Sequence, residues 1–429
     1  MEEKQMIKKK EIEDSKKRKN NIRAYKIYEV LAWDLLFYYA IIYLLYSNQK
    51  GLSNFQILLI ESLFIFFKMF FQAFCQIEIR KNGKRRTLII GNLSLMICLI
   101  ILIFANNFSI LMFVPTFLGL GFACKESCES DLLYDSIINN SNRSKTFGKI
   151  EAKVNSRFYF LDAISAILAG YLYIINPYLP ILFCLIITAI CFLLSLQFQE
   201  INIHEKKEDS IKEEWNKLIK SFDSIKKSNR LKSLLILNSF FIAMHCVFVT
   251  LRNVVLINSN VKEEYFGIIF AIGTILAAVS TGYAEKIHKK HKNKSLAHLV
   301  IPYAIVFAIS GLILFINIDN NIKKICAVLC FSITLSCKGP YLVLIKKYLK
   351  NFTNHEKRTS ISSAKGFLEN SVATLSLLIS AFISRFINDK YCVLISGLSF
   401  LIFFIVLFKE IKKYVGKKPE DYTKEDLLN

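Results

Sequence analysis

The chain has 429 residues, of which 53% are hydrophobic and 13% are aromatic, and its formal net charge is +22. A soluble protein with so many apolar residues would need several large cores, whereas here they form long runs separated by short polar segments. That pattern is typical of polytopic membrane proteins. The eleven cysteines lie mostly inside the apolar runs, where Cys acts as a small apolar residue, so we expect neither disulfides nor a metal site.

Twelve stretches are apolar and long enough to cross a hydrocarbon core of roughly 30 Å. Their approximate bounds are 27–47, 52–77, 87–106, 109–137, 147–173, 178–199, 232–257, 263–285, 296–317, 322–348, 359–386 and 390–409. They predict an all-α polytopic membrane protein with twelve transmembrane helices, numbered here as spans 1 to 12.

A charged linker at 200–231 divides the predicted spans into two sets of six. The resulting regions are a basic N-terminus (1–26), an N-terminal bundle (27–199), a C-terminal bundle (232–409) and a tail (410–429). Apolar residues recur at helical spacing in the linker and predict an amphipathic helix on the membrane surface. These residues are Ile211, Trp215, Leu218, Ile219 and Phe222.

Lysine and arginine residues predict the orientation of the chain. Of the 56 in total, 43 lie in the two termini and in the loops on the side of the N-terminus, and 5 lie in the opposite loops. By the positive-inside rule, both termini are expected in the cytoplasm. Basic residues beside anionic lipid also account for the net charge, so no nucleic-acid partner is expected. The Lys-, Ile- and Asn-rich usage favours the cytoplasmic membrane of a bacterium.

The basic turn between spans 2 and 3 has a counterpart in the second half. The first turn reads EIRKNGKRR (78–86) and the second reads EKIHKKHKNK (285–294), which indicates an internal repeat of six spans. With this repeat, the chain resembles the major facilitator superfamily, whose turn has the form G-x-x-x-D-R-x-G-R-R. Gly83, Lys84 and Arg85 match the last part of that motif.

The resemblance implies two six-helix bundles that alternately expose a central site, in a monomeric transporter. Arg80 stands where the family has its Asp, so the gating ion pair made by that Asp is not carried over, and Glu78 is the candidate replacement. Asp131 and Asp135, near the end of span 4, are expected to pair with basic loop residues. Together with Gly83, Lys84 and Arg85 they would shape the cytoplasmic gate. The stretch LLYDS (132–136) is also similar to the end of span 4 in a bacterial branch of facilitator permeases.

Span 4 carries an unusual number of charges for a membrane helix. Ionised groups in hydrocarbon persist when they pair, face a cavity or take part in function. Lys125 and Glu129 are spaced to pair at i,i+4, which leaves Glu126 as the less compensated carboxylate. Glu126 is therefore expected to be a site for a proton or another cation, as is Asp34 near the middle of span 1.

Other predicted spans also contain ionisable groups, for which a transport role and a structural ion pair both stay open. They are Glu61 and Lys68 in span 2, Arg157 and Asp162 in span 5, His245 and Arg252 in span 7, Lys338 in span 10, and Lys365 and Glu369 in span 11. His245 is a lesser candidate for proton coupling. Arg252, Lys338 and Lys365 would favour an anionic or zwitterionic cargo if they face a cavity.

These features lead to the interpretation of a secondary transporter that moves a small molecule across the membrane, with proton coupling. The sequence contains no P-loop, no G-x-S-x-G, no His-Glu-x-x-His and no dinucleotide fingerprint, so we expect neither an enzyme nor a cofactor. Two alternatives stay open. One is a lipid or lysolipid flippase, and the other is a non-transporting receptor or scaffold whose buried charges only lock helices together.

Overall fold

The computed structural model describes residues 2–138, 143–201, 228–351 and 358–415, together with residues 216, 219, 220, 222, 225 and 226. Every regular element within these residues is helical. Most of the amphipathic helix expected in the linker, including Ile211, Trp215 and Leu218, lies outside the described residues.

The first half of the chain contains eight α-helices and one short π-helix in the described residues. They are α1 (Glu2–Ala32), α2 (Ile42–Leu44), the π-helix (Leu45–Gln49), α3 (Asn54–Asn82), α4 (Lys84–Phe104), α5 (Phe108–Leu111), α6 (Val114–Ser136), α7 (Arg143–Ile175) and α8 (Leu179–Ser195).

The second half contains seven α-helices and one 3₁₀ turn, again counted over the described residues. They are α9 (Asn229–Asn258), α10 (Glu264–Thr281), α11 (Ala284–His291), the 3₁₀ turn (Lys292–Ser295), α12 (Ala297–Leu312), α13 (Asn320–Asn351), α14 (Arg358–Phe386) and α15 (Asp389–Val415).

Most of the predicted spans coincide with apolar helices. In the described part of the chain, nine helical segments are long and apolar enough to cross a membrane, and two shorter apolar helices, α8 and α12, lie where spans 6 and 9 were expected. Span 1 has no such helix. The number of twelve membrane-spanning helices therefore stays a prediction.

The continuous helix expected at 27–47 is wrong, because the chain breaks in the middle of it. Helix α1 ends at Ala32, residues 33–41 form turns, and helical structure resumes at Ile42. Phe37 has a φ of 68°, a conformation that cannot continue a right-handed helix and that bulky residues rarely adopt. Its ring stacks on Phe183 of α8 with centroids 5.7 Å apart, which helps to hold the break in place.

Two compact units are present. One comprises the described residues up to 39 and those from 67 to 201, and the other comprises residues 40–66 together with the described residues from 216 to 415. The boundaries predicted for the two bundles stay a prediction.

In the first unit, α4 packs against α6 and α8, and α1 packs against α6, α7 and α8. Two glycines of α6 allow this helix to approach its neighbours α3 and α4 closely. A Cβ on Gly119 would lie 2.7 Å from the backbone nitrogen of Lys68, and a Cβ on Gly121 would lie 2.5 Å from Leu95. Because these contacts leave no room for a side chain, α6 approaches α3 with one face and α4 with another.

In the second unit, α9 packs against α14 and α15, α12 against α15 and α13, and α10 against α13. Glycine again allows backbones to touch. A Cβ on Gly311 of α12 would lie 2.6 Å from the Cα of Leu394, and one on Gly397 of α15 would lie 2.8 Å from the Cα of Ala308. This close packing keeps the polar side chains described below in fixed positions.

Candidate functional site

A buried ion pair connects α6 to the end of α1. Lys125 is 2% exposed, and its Nζ lies 3.8 Å from Oε1 of Glu129, one turn further along α6. The same Nζ donates a hydrogen bond to the carbonyl oxygen of Ala32. Ala32 is the last residue of α1, where carbonyl groups lack partners within the helix and the helix dipole favours a cation. The expected Lys125–Glu129 pair is therefore present, and its lysine also caps the broken helix.

Two neutral side chains complete the surroundings of Glu129. The hydroxyl of Tyr28 donates to Oε1 of Glu129 at 2.9 Å, and the amide nitrogen of Asn92 donates to the Tyr28 oxygen at 3.1 Å. Tyr28 and Asn92 are themselves buried. These interacting side chains come from α1, α4 and α6, and all of them are buried from solvent.

Glu29 belongs to this cluster, although its position in the sequence does not indicate it. It is 3% exposed, and its Oε2 has no hydrogen-bond partner among the described residues. Glu129 repels it electrostatically, and Lys125 attracts it. Two buried carboxylates therefore share one buried lysine, which leaves the cluster short of positive charge. We call Tyr28, Glu29, Lys125 and Glu129 the buried charge cluster.

Asp34 lies beside the buried charge cluster, in the turn that follows α1. A cavity of about 10 Å³ is lined by Asp34, Lys125, Asn92, Thr188 and other residues of α1 and α8. That volume is at the lower limit for one water molecule. The Asp34 carboxylate accepts a hydrogen bond from the backbone N–H of Leu35 at 2.9 Å. The structure thus brings Asp34 and Lys125, predicted separately, to one cavity.

The expectation that Glu126 is the less compensated carboxylate is wrong. Its Oε1 lies 2.6 Å from Nζ of Lys68 on α3, and its side chain is 55% exposed. Successive helical residues are rotated by about 100°, so Lys125 points towards α1 while Glu126 points towards α3. The contact of Gly119 with α3 brings Lys68 within reach.

Three other predicted residues of the first half are not members of the buried charge cluster. Arg157 and Asp162, both on α7, form no ion pair with each other in the described part of the chain. Arg157 is exposed, and Asp162 is half-buried. Glu61 is half-buried on α3, and Lys68, seven residues away, is occupied by Glu126.

The basic turn after α3 forms a second charged cluster with the end of α6. Nζ of Lys84 lies 2.7 Å from Oδ2 of Asp135 and 3.6 Å from Oδ2 of Asp131. Arg143 at the start of α7 approaches Oδ1 of Asp135 at 3.7 Å, and Arg18 of α1 donates to the Asp135 carbonyl oxygen at 2.6 Å. The expected pairing of Asp131 and Asp135 with basic residues is therefore present. We call Lys84, Asp131, Asp135 and Arg143 the first turn cluster.

Gly83 shapes this turn through its backbone. Its φ is 89°, which glycine adopts readily, and a Cβ at this position would lie 2.5 Å from Oε1 of Glu200. The same oxygen accepts a hydrogen bond from the backbone N–H of Arg85 at 2.6 Å, and the Arg85 guanidinium donates to the Leu196 carbonyl at 2.8 Å. Glu78, the candidate replacement for the family's Asp, pairs with Arg86 at 3.2 Å.

The corresponding turn of the second half uses a similar arrangement with the charges reversed. Glu285 of α11 lies 2.9 Å from Nζ of Lys347 on α13, and that hydrogen bond lowers the pKa of the Glu285 carboxyl. The Tyr348 hydroxyl bonds to Nδ1 of His288 at 2.8 Å and to the Lys292 carbonyl at 2.8 Å. Lys292 has a φ of 50°, so this turn, like the one at Gly83, contains a residue with positive φ. In the first turn, Lys84 pairs with aspartates at the end of α6, whereas in the second turn, Glu285 pairs with a lysine near the end of α13.

Helix α9 contains a buried histidine, His245, and a buried arginine, Arg252. Nδ1 of His245 lies 2.9 Å from the hydroxyl of Tyr303. The guanidinium of Arg252 lies 4.6 Å from the ring centre of Phe331 and 5.1 Å from that of Phe270. Cation–π contacts of this kind can hold a buried cation without a carboxylate.

The remaining predicted residues lie on α13 and α14. Lys365 and Glu369 form the i,i+4 pair expected of them, at 2.7 Å, and Asn238 of α9 also donates to Glu369. The charge of Lys365 is therefore compensated, so the expected cationic character of the second half depends on Arg252 and Lys338. Lys338 is half-buried on α13. Among the described residues, no group of three or more side chains suited to a metal ion is found.

Solved transporter structures share this fold. The structure of a single-residue mutant of the nucleoside transporter NupG has a TM-score of 0.72 at 13% identity, covering 90% of this chain and 100% of that one. A POT family transporter in complex with 5-aminolevulinic acid has a TM-score of 0.66 at 12% identity, covering 94% of this chain and 96% of that one. At such identities the likeness concerns the fold alone.

A comparison with curated proteins finds no match to this sequence. The family model described as Major Facilitator Superfamily matches residues 30–347, from the last turn of α1 almost to the end of α13. That region contains the two basic turns, Lys125 and Glu129. Together with the apolar helices, this match shows that the chain is a multi-pass membrane protein and belongs to the Major Facilitator Superfamily.

Proposed function

We propose that this chain is a proton-coupled secondary transporter that moves a small molecule across the cytoplasmic membrane by alternating access, with both termini in the cytoplasm. Membership of the superfamily and the transporter structures of similar fold support transport. The asymmetry of Lys and Arg between the two sides supports the orientation.

The observation that carries proton coupling is the buried charge cluster. One lysine cannot neutralise two buried carboxylates, and an isolated buried charge is strongly unfavourable. A proton on Glu29 or Glu129 completes the charge balance. Glu29 is the proposed carrier, because its Oε2 has no protein partner among the described residues, whereas Glu129 is held by Tyr28 and Lys125.

The broken first span connects this cluster to a conformational change. Lys125 binds both a carboxylate and the terminal carbonyl of α1. When Glu29 loses its proton, the lysine gains a second negative neighbour and its hold on Ala32 weakens. The turn from 33 to 41, which contains Asp34, is then free to shift relative to α6. Proton binding and the position of this turn would thus be linked.

The first turn cluster, with Gly83 and Arg85, would form the cytoplasmic gate, and the corresponding turn of the second half contains a comparable ion pair. The first turn cluster ties α4, α6 and α7 together, and the Glu285–Lys347 pair ties α11 to α13. Each turn contains a residue with positive φ, which fixes the backbone direction. Asp131 is 65% exposed and Glu285 is 58% exposed, so the Lys84–Asp131 and Glu285–Lys347 pairs can open and close at little energetic cost. The Lys84–Asp135 pair is more buried, at 9% and 21% exposure, and would cost more to open.

The test uses ligand binding followed by transport. Purified protein is screened by thermal unfolding against metabolites, lipids and drugs at two pH values, since a ligand at 100 times its Kd adds about 2.7 kcal/mol to the folded state. Each hit is then reconstituted into liposomes with an imposed pH gradient. Glu29→Gln is expected to keep ligand exchange but to lose accumulation driven by the gradient.

Glu126→Gln is the matched control, because it neutralises a carboxylate that is exposed and paired with Lys68. It should accumulate ligand as the wild type does. Full accumulation by Glu29→Gln would contradict the assignment of the carrier, and accumulation independent of the gradient would contradict proton coupling. Movement of lipid alone would indicate a flippase. An absence of any transported ligand, with both variants changed only in stability, would indicate a receptor or scaffold.

A further inference from the structure

A basic cleft lies between α1 and α7. Its volume is about 330 Å³, within the usual range of about 300–1,000 Å³ for small-molecule sites. The lining residues are Lys26 of α1 and Lys149, Ile150, Lys153, Val154 and Arg157 of α7. Four of the six therefore carry a positive charge, and the other two are aliphatic.

No carboxylate compensates these charges in the described part of the chain. Lys26, Lys149, Lys153 and Arg157 are all exposed, and none forms an ion pair there. The single carboxylate between residues 143 and 161 is that of Glu151, which accepts a hydrogen bond from Tyr25 at 2.5 Å and does not line the cleft. Four uncompensated cations around one cavity favour an anionic ligand.

The cations of α7 continue into an apolar stripe on the same face of the helix. Lys149, Lys153 and Arg157 follow one another at four-residue steps of about 6 Å. Phe160, Ile164 and Leu168 then occupy the same arc, and they are 71%, 39% and 47% exposed. The character of this face thus changes along the helix axis from cationic to apolar.

We propose that the cleft binds the phosphate headgroup of an anionic phospholipid, whose acyl chains lie along the apolar stripe. Lysine and arginine side chains bind phosphate oxygens with charge-assisted hydrogen bonds, and basic pockets between membrane helices are suited to lipid headgroups. A soluble phosphate compound would satisfy the cations but would leave the exposed stripe without a role. This site is separate from the buried charge cluster and does not depend on the proposed transport.

The test compares two triple variants with the same change in charge. Lys26→Gln/Lys149→Gln/Lys153→Gln removes three cations from the cleft. The control, Lys289→Gln/Lys290→Gln/Lys294→Gln, removes three exposed lysines of the second half that have no ion pair in the described part of the chain. All six positions are exposed, so both variants should fold.

The probes are short-chain phosphatidylglycerol, phosphatidylcholine of equal chain length, and inorganic phosphate, each titrated against the thermal unfolding of detergent-purified protein. Phosphatidylglycerol should raise the unfolding temperature of the wild type and the control at the same concentration. It should require at least a tenfold higher concentration for the cleft variant. Phosphatidylcholine should give no comparable shift.

Three results would overturn the proposal. Equal responses of all three proteins to phosphatidylglycerol would show general attraction to a basic surface. Stabilisation by inorganic phosphate at the concentration at which the lipid acts would assign the cleft to a soluble anion. No shift of the wild type with phosphatidylglycerol would show that the cleft binds no such headgroup.

Discussion

Replacing Lys125 by methionine should destabilise the protein more than any change at the neighbouring exposed ion pair. The substitution removes the cation that lies 3.8 Å from Glu129 and that caps the carbonyl of Ala32. Removing one partner of a buried pair costs about 3–5 kcal/mol, because the other charge stays buried without compensation. Since Glu129 keeps its hydrogen bond from Tyr28, we expect about 3 kcal/mol, the lower end of that range.

A double-mutant cycle separates the pair from its surroundings. Lys125→Met, Glu129→Gln and the double variant are compared by the free energy of unfolding in mild detergent. Residues in direct contact show coupling energies of about 0.5–3 kcal/mol, and for this buried pair we expect about 2 kcal/mol. The double variant should therefore be less destabilised than the sum of the single variants.

The matched control is the pair between Lys68 of α3 and Glu126 of α6. Its 2.6 Å separation is shorter, but Glu126 is 55% exposed, and solvent screening limits exposed pairs to about 1 kcal/mol or less. The buried Lys125–Glu129 pair should therefore show the larger coupling energy, although its atoms are further apart. Equal coupling in the two cycles, or a Lys125→Met variant as stable as the wild type, would refute the reasoning.

Three further predictions concern the turns and the helix packing. Gly83→Ala should destabilise the protein by about 1–3 kcal/mol, because Gly83 has a positive φ and an added Cβ would clash with Glu200. Gly148→Ala, with open space around the helix position, should stabilise the protein by about 0.5–1 kcal/mol. Equal stability of the two variants in thermal unfolding would contradict this reasoning. Cys75 and Cys124, whose sulfurs lie 3.0 Å apart, should form a disulfide with a membrane-permeant oxidant, and mass spectrometry finding no linked peptide would exclude the α3–α6 packing described. The hydrogen bond with Lys347 lowers the folded-state pKa of Glu285, so this ion pair stabilises the fold above the unfolded-state pKa, and the stabilisation is lost as pH falls through the folded-state pKa. Glu285→Gln should therefore be less stable than the wild type at neutral pH and equally stable in acid. A stability difference that stays constant across pH would argue against this ion pair.

Much of the helical organisation follows from local sequence patterns. Apolar runs of membrane length predict helices wherever they occur, because a backbone in hydrocarbon must satisfy its own hydrogen bonds. The pair of Lys365 and Glu369 followed in the same way from helical spacing. These features depend on residues close in the chain, so no knowledge of the tertiary structure was needed.

The partners of the charged residues depended on which helices are neighbours. Spacing along α6 correctly paired Lys125 with Glu129, but it could not reveal that Gly119 brings Lys68 of α3 to Glu126. Glu29 lies near the start of predicted span 1, directly after the basic N-terminus, where a carboxylate is usually solvated, so its sequence position did not indicate burial. Its burial is visible only with α6 in place, although its position beside Tyr25, Tyr28 and Ala32 was a signal.

The break in span 1 likewise depends on contacts between helices that the local sequence does not reveal. The sequence from 27 to 47 is apolar throughout its second half, and composition alone predicts a continuous helix. The chain ends that helix at Ala32 because Lys125 binds the free carbonyl and Phe37 adopts a positive φ against Phe183. The amino-acid sequence by itself determined the helices, their membrane character and the basic side. The tertiary structure decided which charges are neutralised and where a helix breaks, because both depend on contacts between residues far apart in the chain.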